Sequence, residues 1–170
     1  YGEYYSQCIV NANGWIGFGE DNTTWDNSDI PSSSAPRPAI FPFWDDLNPV
    51  NAGCNEDCSG NVYFSSNSDQ LVIWFNDVVH WVGTDYFGTS YDFQVVLTSD
   101  GRIEVNYNTI TGNYSPTIGI QNASGTIGQK ITYENMASTT GWVNNDKTLI
   151  FSTPPNWAGI NTIGNYNFSG

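Results

Sequence analysis

Two adjacent carboxylates, Asp45 and Asp46, are the residues of this chain best suited to chemistry. They end an aromatic segment, FPFWDDLNP at residues 41–49, in which an Asn-Pro pair follows one residue later. Adjacent carboxylates repel each other unless water, hydrogen-bond donors or a cation compensates their charge. Ca²⁺ takes roughly six to eight oxygen ligands, so a calcium site here would need further oxygens from the loop that follows. The predicted metal ligands are Asp45, Asp46, Asn48, Asn51 and Asp57.

The alternative role for the two acids is structural. One carboxylate would then cap a turn by accepting backbone N–H groups, and the other would be solvated. A glycosidase would need two carboxyl groups roughly 5–10 Å apart across a cleft, for which Glu104 is a candidate partner. No glycosidase signature surrounds these acids. The sequence therefore leaves the calcium site and the turn cap open, and we predict no catalytic residue.

The single histidine and the three cysteines suggest structural rather than catalytic roles. Cys54 and Cys58 lie four positions apart in a polar loop, which favours a disulfide and an oxidising compartment. A zinc site made of these two cysteines and His80 is the alternative, but it lacks a fourth ligand. No pattern typical of a nucleophilic triad surrounds His80, which we predict to be a polar residue at a strand end. Cys8 lies in an apolar segment and is predicted to be a buried small hydrophobic residue.

The tryptophans fall into two groups. Trp25, Trp81 and Trp142 lie in or near polar loops, where exposed aromatic rings can stack on the apolar face of a sugar. We predict these three as ligand-binding residues, and the alternative is that they pin long loops to the surface. The tryptophans in strand-like segments are predicted to be core residues: Trp15, Trp44 and Trp74.

The charge of the chain excludes several partners. The 170 residues carry 17 acidic and 4 basic side chains, for a net charge of −13. Such a chain repels the phosphates of nucleic acids and of anionic lipid surfaces. No apolar run reaches the length of about 18 residues that a membrane span requires. The chain begins without Met or a charged leader, so we expect it to be a piece of a longer, processed protein.

The strand pattern predicts the fold. Alternating apolar residues over 91–98 and 102–107, joined by Asp100-Gly101, predict an antiparallel hairpin. The segment 71–75 is apolar at every position, which favours a central strand covered on both faces. Further strands are predicted at residues 6–10, 15–18, 39–44, 61–65, 117–121, 130–133 and 148–152. About ten short strands without a helical period predict an all-β, two-sheet antiparallel β-sandwich that is jelly-roll-like.

The domain boundaries follow from the loops and the tail. Residues 20–38 form a long polar loop, for which Trp25 is the expected anchor. Residues 1–155 are predicted to form the sandwich domain. Residues 156–170, which follow a Pro-Pro pair, are predicted to be an extra strand, a linker, or a strand given to a neighbouring subunit.

A group of segments follows a familiar order along the chain. They are NGWIGFG at 13–19, FPFWDDLNP at 41–49, GNVYF at 60–64, YDFQVVL at 91–97 with DGRI at 100–103, and TIGIQN at 117–122. This order resembles a β-rich accessory domain of secreted bacterial surface proteins and peptidases, and more distantly the nidogen-type extracellular domain. The resemblance covers roughly residues 8–125. It implies an extracellular, non-catalytic module for attachment or assembly, and it carries over no catalytic residue.

The predicted function is therefore adhesion or binding, as a module of a larger secreted or cell-surface protein. Calcium is its candidate cofactor, and its expected partners are a protein or glycan at the cell surface and other copies of itself. One alternative is a structural subunit of a surface fibre assembled by strand exchange. The other alternative is a carbohydrate-active enzyme or a lectin domain.

Overall fold

A computed structural model describes six segments of the chain: residues 3–19, 23–50, 58–81, 88–112, 115–133 and 145–152. Within these segments no helix occurs, and so none that is long and apolar enough to cross a membrane. The strands there are β1 (Ile9–Asn11), β2 (Trp15–Gly17), β3 (Ala39–Trp44), β4 (Asn61–Ser66), β5 (Gln70–Val78), β6 (Ser90–Thr98), β7 (Ile103–Thr111), β8 (Thr117–Gln121), β9 (Gly128–Thr132) and β10 (Lys147–Phe151).

The strands form two antiparallel sheets of five strands each. The first sheet has the order β1-β2-β3-β8-β9, and the second has the order β10-β7-β6-β5-β4. This arrangement confirms the predicted all-β, two-sheet sandwich. The predictions for residues 156–170 concern a part of the chain outside the described residues, so the strand-exchange alternative stays a prediction.

The predicted hairpin of β6 and β7 is confirmed. Leu97 pairs with Ile103, and the Thr98 N–H donates to the Arg102 carbonyl at 3.0 Å. Gly101 has a φ of 87°, which L side chains rarely adopt, and this explains the Asp-Gly turn.

The main core contains residues of both sheets. Phe75 and Phe93 of the second sheet stack with their ring centroids 4.6 Å apart, and Phe43 of the first sheet lies 5.6 Å from Phe93. The buried Tyr107 hydroxyl donates to the Pro42 carbonyl at 2.6 Å and so joins the two sheets by a hydrogen bond. Desolvation on burial of this phenol raises its pKa far above the ordinary value of 10.0. These contacts fix the end of β3 against the second sheet.

A β-bulge at the end of β3 decides which way its last residues point. The register with β8 shifts between Phe41 and Trp44, and Pro42, which has no N–H for the ladder, lies within the shift. Because of the extra residue, Ile40 and Phe43 both belong to the main core despite their odd spacing. Phe41 and Trp44 face the opposite side of the sheet. The acidic pair therefore follows a strand that is buried on both faces.

That opposite side carries a second apolar cluster, which we call the outer cluster. It consists of Trp15, Ile30, Ala35, Ala39, Phe41 and Trp44. Two of the predicted core tryptophans, Trp15 and Trp44, are fully buried here rather than in the main core. Ile30 and Ala35 belong to the long loop and anchor it over the first sheet. The expectation that Trp25 anchors this loop is wrong, because its side chain is 58% exposed.

The third predicted core tryptophan, Trp74, lies on the outward face of the second sheet. It is 38% exposed, its ring centroid lies 5.6 Å from that of Tyr63, and its indole N–H donates to Asp92 at 2.7 Å. Among the described strands, β5 is flanked by the edge strand β4, and the side chains on its outward face are partly exposed. The prediction of a doubly covered central strand is therefore wrong, because an apolar run does not reveal whether a second layer exists to cover it.

Candidate functional site

A tight turn between β1 and β2 positions the start of the acidic segment. Gly14, with φ at 74°, accepts a hydrogen bond from the Phe43 N–H at 3.2 Å. A Cβ atom at Gly14 would lie 2.0 Å from the Phe43 carbonyl oxygen, so only glycine fits there. The neighbouring Asn13 accepts the Asp45 N–H at 3.2 Å through its carbonyl and the Leu47 N–H at 3.1 Å through its side chain.

The segment that carries the acids runs alongside the segment that carries the histidine. Residues 45–48 and 79–81 approach each other, and Leu47 forms an antiparallel β-bridge with His80. The bridge brings the imidazole next to the Asp45 carboxylate although 35 positions separate the two residues. No periodicity in the sequence predicts this pairing, because it depends on how two loops meet.

Asp45 is a buried carboxylate whose two oxygens both accept hydrogen bonds from the protein. Its side chain is only 5% exposed, and its Oδ1 lies 3.2 Å from His80 Nε2. The same oxygen accepts the Asp46 N–H at 3.1 Å, and Oδ2 accepts the Ser115 N–H at 2.9 Å. Asp45 therefore joins three segments of the chain, and both of its oxygens are occupied by protein donors.

The His80 ring lies between two acceptors. Its Nδ1 is 2.7 Å from the Trp81 carbonyl oxygen, and its Nε2 faces the Asp45 carboxylate. A neutral imidazole carries only one N–H and would leave one of these oxygens facing a lone pair. Burial alone would lower the pKa of His80, but the hydrogen bonds to Asp45 and the Trp81 carbonyl, with the charges of Asp45 and Asp46, raise it above its ordinary value. The site favours an imidazolium paired with Asp45.

Asp46 differs from its neighbour. Its carboxylate is half-buried and accepts no hydrogen bond from the part of the chain that the structure describes. Burial raises the pKa of Asp46, the positive charge of His80 opposes this, and the charges of Asp45 and Asp26 add to the increase. Among the described segments, the carboxylate of Asp46 therefore has no hydrogen-bond donor of its own.

These groups open onto a cleft of about 270 Å³ between the acidic segment and the long loop. The cleft is lined by Trp25, Asp26, Asn27, Asp45, Asp46, His80 and Ser115. Since Asp45 is paired with His80, the carboxylates of Asp26 and Asp46 give the cleft its negative character.

Trp25 stands at the cleft with its backbone held on both sides. The preceding Thr24 carbonyl accepts the Trp15 indole N–H at 3.1 Å. Two positions after Trp25, Asn27 donates from Nδ2 to the Ser115 carbonyl at 2.7 Å. The indole is therefore exposed on a backbone that is already ordered, which reduces the entropy lost on ligand binding.

The cleft combines members of two predicted sets. Asp45 and Asp46 come from the metal set, and Trp25 comes from the ligand-binding set. Trp81 is 57% exposed beside His80, but it does not line the cleft. The cleft residues that sequence reasoning missed are Asp26, Asn27, His80 and Ser115, and only the uniqueness of His80 was a usable signal.

The structure describes only some of the predicted calcium ligands, because Asn51 and Asp57 lie outside the described residues. Trp142, a predicted ligand-binding residue, also lies outside them. Asn48 is 6% exposed, and its backbone N–H donates to the Val79 carbonyl at 2.8 Å. Over the described segments, no group of three or more His, Cys, Asp or Glu side chains is arranged to hold a metal ion. Calcium binding stays a prediction.

The cysteines have different states. Cys58 is disulfide-bonded, whereas Cys8 is free and packs against the main core. Burial raises the pKa of the Cys8 thiol, as expected for a small hydrophobic residue. Cys54 lies outside the described residues, so the Cys54–Cys58 pairing stays a prediction. The zinc alternative is wrong for Cys58, because a disulfide sulfur is not a thiolate ligand.

A family model described as NIDO related matches residues 1–159, which supports the nidogen-like resemblance found in the sequence. No curated protein and no solved structure matches the chain.

Proposed function

Because the chain belongs to the NIDO-related family, we propose that it is an extracellular, non-catalytic adhesion or binding module that holds its ligand in the cleft beside Trp25. The proposal includes the setting that the sequence resemblance implies, an accessory domain of a larger secreted or surface protein. A protein or a glycan at the cell surface is the proposed partner.

The observation that carries the proposal is the exposed indole of Trp25 on an ordered backbone. Aromatic residues dominate the energetics of binding sites because they bury large apolar areas with few rotatable bonds. A solvent-exposed tryptophan has no stabilising role comparable to that of the buried Trp15 and Trp44. The pre-arranged carboxylates next to it supply orientation and specificity.

The test compares two aromatic truncations on an array of cell-surface proteins and glycans. We expect Trp25→Ala to weaken binding by at least about tenfold, the loss typical of a central aromatic contact. Phe64→Ala is the matched control, since Phe64 is 78% exposed on β4 and does not line the cleft. Equal binding by the two variants would contradict the proposal, and so would the absence of any ligand on the array.

A second candidate is a carbohydrate-active enzyme. It is favoured by two carboxyl groups, Asp45 and Asp46, in one cleft, where burial raises the pKa of Asp46 as a general acid requires. Glu104, the other acid considered, pairs with Arg102 at 3.1 Å and does not line the cleft. Hydrolysis of chromogenic glycosides that is abolished in Asp46→Asn would favour the enzyme over the binding module.

A further inference from the structure

We propose that the cleft binds the side chain of a lysine or arginine presented by a partner protein. This inference rests on the proposed function, because it names the ligand of the same cleft. It follows from the unused hydrogen-bonding capacity of the cleft, from its charge, from its aromatic wall and from its size.

The unused polar atoms of the cleft are mainly acceptors. His80 uses both ring nitrogens on Asp45 and on the Trp81 carbonyl. The Ser115 N–H is taken by Asp45, and the side-chain amide of Asn27 donates to the Ser115 carbonyl. Among the described residues that line the cleft, Asp46 and Asp26 are the carboxylates left without a donor. A ligand rich in donors therefore fits best, and an ammonium group offers three donors and a guanidinium five.

The charge of the cleft selects a cation. With Asp45 compensated by His80, the ionised forms of Asp26 and Asp46 leave about two negative charges facing the opening. The chain as a whole has a net charge of −13, so its long-range field attracts basic partners and repels acidic ones. A cationic side chain beside Asp46 would relieve the repulsion that this carboxylate meets from Asp45 and Asp26.

The aromatic wall distinguishes an organic cation from a metal ion. The face of a tryptophan ring attracts ammonium and guanidinium groups, and the same ring packs against the aliphatic stem of lysine or arginine. Ca²⁺ gains nothing from the indole and needs roughly six to eight oxygens. Both oxygens of Asp45 are already used, so the described part of the cleft offers few of them.

The size of the cleft favours one side chain. Its volume of about 270 Å³ lies at the lower end of the range for small-molecule pockets. It is too small to enclose several sugar rings. A single side chain inserted from a partner would fill it while the backbone of the partner stays outside.

The experiment uses nuclear magnetic resonance to follow the indole N–H signal of Trp25, assigned by its loss in Trp25→Phe. The probes are Nα-acetyl-lysine methylamide and the corresponding arginine compound. Their matched neutral probe is Nα,Nε-diacetyl-lysine methylamide, and methyl glucoside represents a neutral sugar. All titrations are carried out in EDTA, with a separate titration of calcium chloride. We expect millimolar binding of the two cations, weakened by added salt, and no response to the neutral probes.

Two isosteric variants test the charge directly. Asp46→Asn is expected to weaken binding of the cations about tenfold, the order expected for one close, partly solvated charge pair. Asp69→Asn removes the same charge from the hairpin loop at the opposite end of β5 and is expected to leave binding unchanged.

The outcomes separate this inference from the proposed function. An equal response to the acetyl-lysine and diacetyl-lysine probes would overturn the inference. A response to calcium chloride or to methyl glucoside, without a response to the lysine and arginine probes, would also overturn it. If ligand binding on the array still depends on Trp25 in that case, the binding module stands and only its ligand class is wrong. Loss of the Trp25 dependence on the array would overturn both.

Discussion

Replacing Asp45 by asparagine tests whether an imidazolium–carboxylate pair holds the cleft together. The side chains of Asp45 and His80 are 5% and 8% exposed, so water compensates little for a lost partner. Asparagine keeps one acceptor oxygen but turns an N–H₂ group toward either His80 or the Ser115 N–H. Breaking a buried ion pair by removing one partner costs about 3–5 kcal/mol. Most domains have only about 5–15 kcal/mol of stability, so the loss is readily measured by urea unfolding followed by tryptophan fluorescence.

Asp45→Asn should also change how the free energy of unfolding depends on pH. In the wild type the pKa of His80 is raised above 6.5, so its stabilising contribution is fully present below that pH. The contribution is lost as the pH rises through the folded-state pKa of His80. Asp45→Asn removes the hydrogen bond and the charge of Asp45 that raise the pKa of His80, while the burial that lowers it remains. The pKa of His80 therefore falls in the variant, and the free energy of unfolding no longer decreases as the pH rises.

His80 is the only histidine of the chain, so its imidazole proton gives one unambiguous titration curve. Asp69→Asn is the control for a general change in net charge. The single variants Asp45→Asn and His80→Gln, together with the double variant, give the coupling energy of the pair. The reasoning would be refuted if Asp45→Asn cost less than about 1 kcal/mol and left the titration of His80 unchanged.

Three further predictions concern the turn, the calcium site and the free thiol. Gly14→Ala should lower the free energy of unfolding by more than about 2 kcal/mol in urea titrations, because its Cβ would overlap the Phe43 carbonyl. Gly101→Ala is the control, since Gly101 also has a positive φ but open space around it, and it should cost about 1–2 kcal/mol. Equal losses in the two variants would contradict the steric argument. If calcium binds as predicted, excess Ca²⁺ should raise the thermal midpoint relative to EDTA, and Asp46→Asn should abolish the shift; an unchanged midpoint would remove the calcium site. The thiol of Cys8 should react with iodoacetamide at pH 8 at least several-fold more slowly in the folded protein than in urea, because burial raises its pKa; equal rates would refute this.

Local pattern was a good guide wherever one face of a strand meets the core. Phe93 and Val95 alternate with polar residues, and they lie in the main core as the period of two requires. The same reasoning was wrong for Trp74, because an apolar residue in an apolar run carries no information about which face is covered. The prediction of Trp44 as a core residue is confirmed, but the bulge around Pro42, which changes the facing of the last residues of β3, decided that it is buried in the outer cluster.

The candidate site was only half visible in the sequence. Asp45, Asp46 and Trp25 stood out by residue type and by their place in polar loops. His80 and Ser115 were missed because contacts that join residues 35 and 70 positions apart leave no local pattern.

By itself, the sequence determined the all-β class, the strand positions and the acidity of the chain, because these depend on alternation, turn residues and composition. Tertiary structure alone decided that the Asp45 carboxylate pairs with His80, while the Asp46 carboxylate lines the cleft beside the exposed indole of Trp25. The physical reason is that hydrogen bonding and burial, which give adjacent and identical side chains different chemistry, arise only when distant loops are packed together.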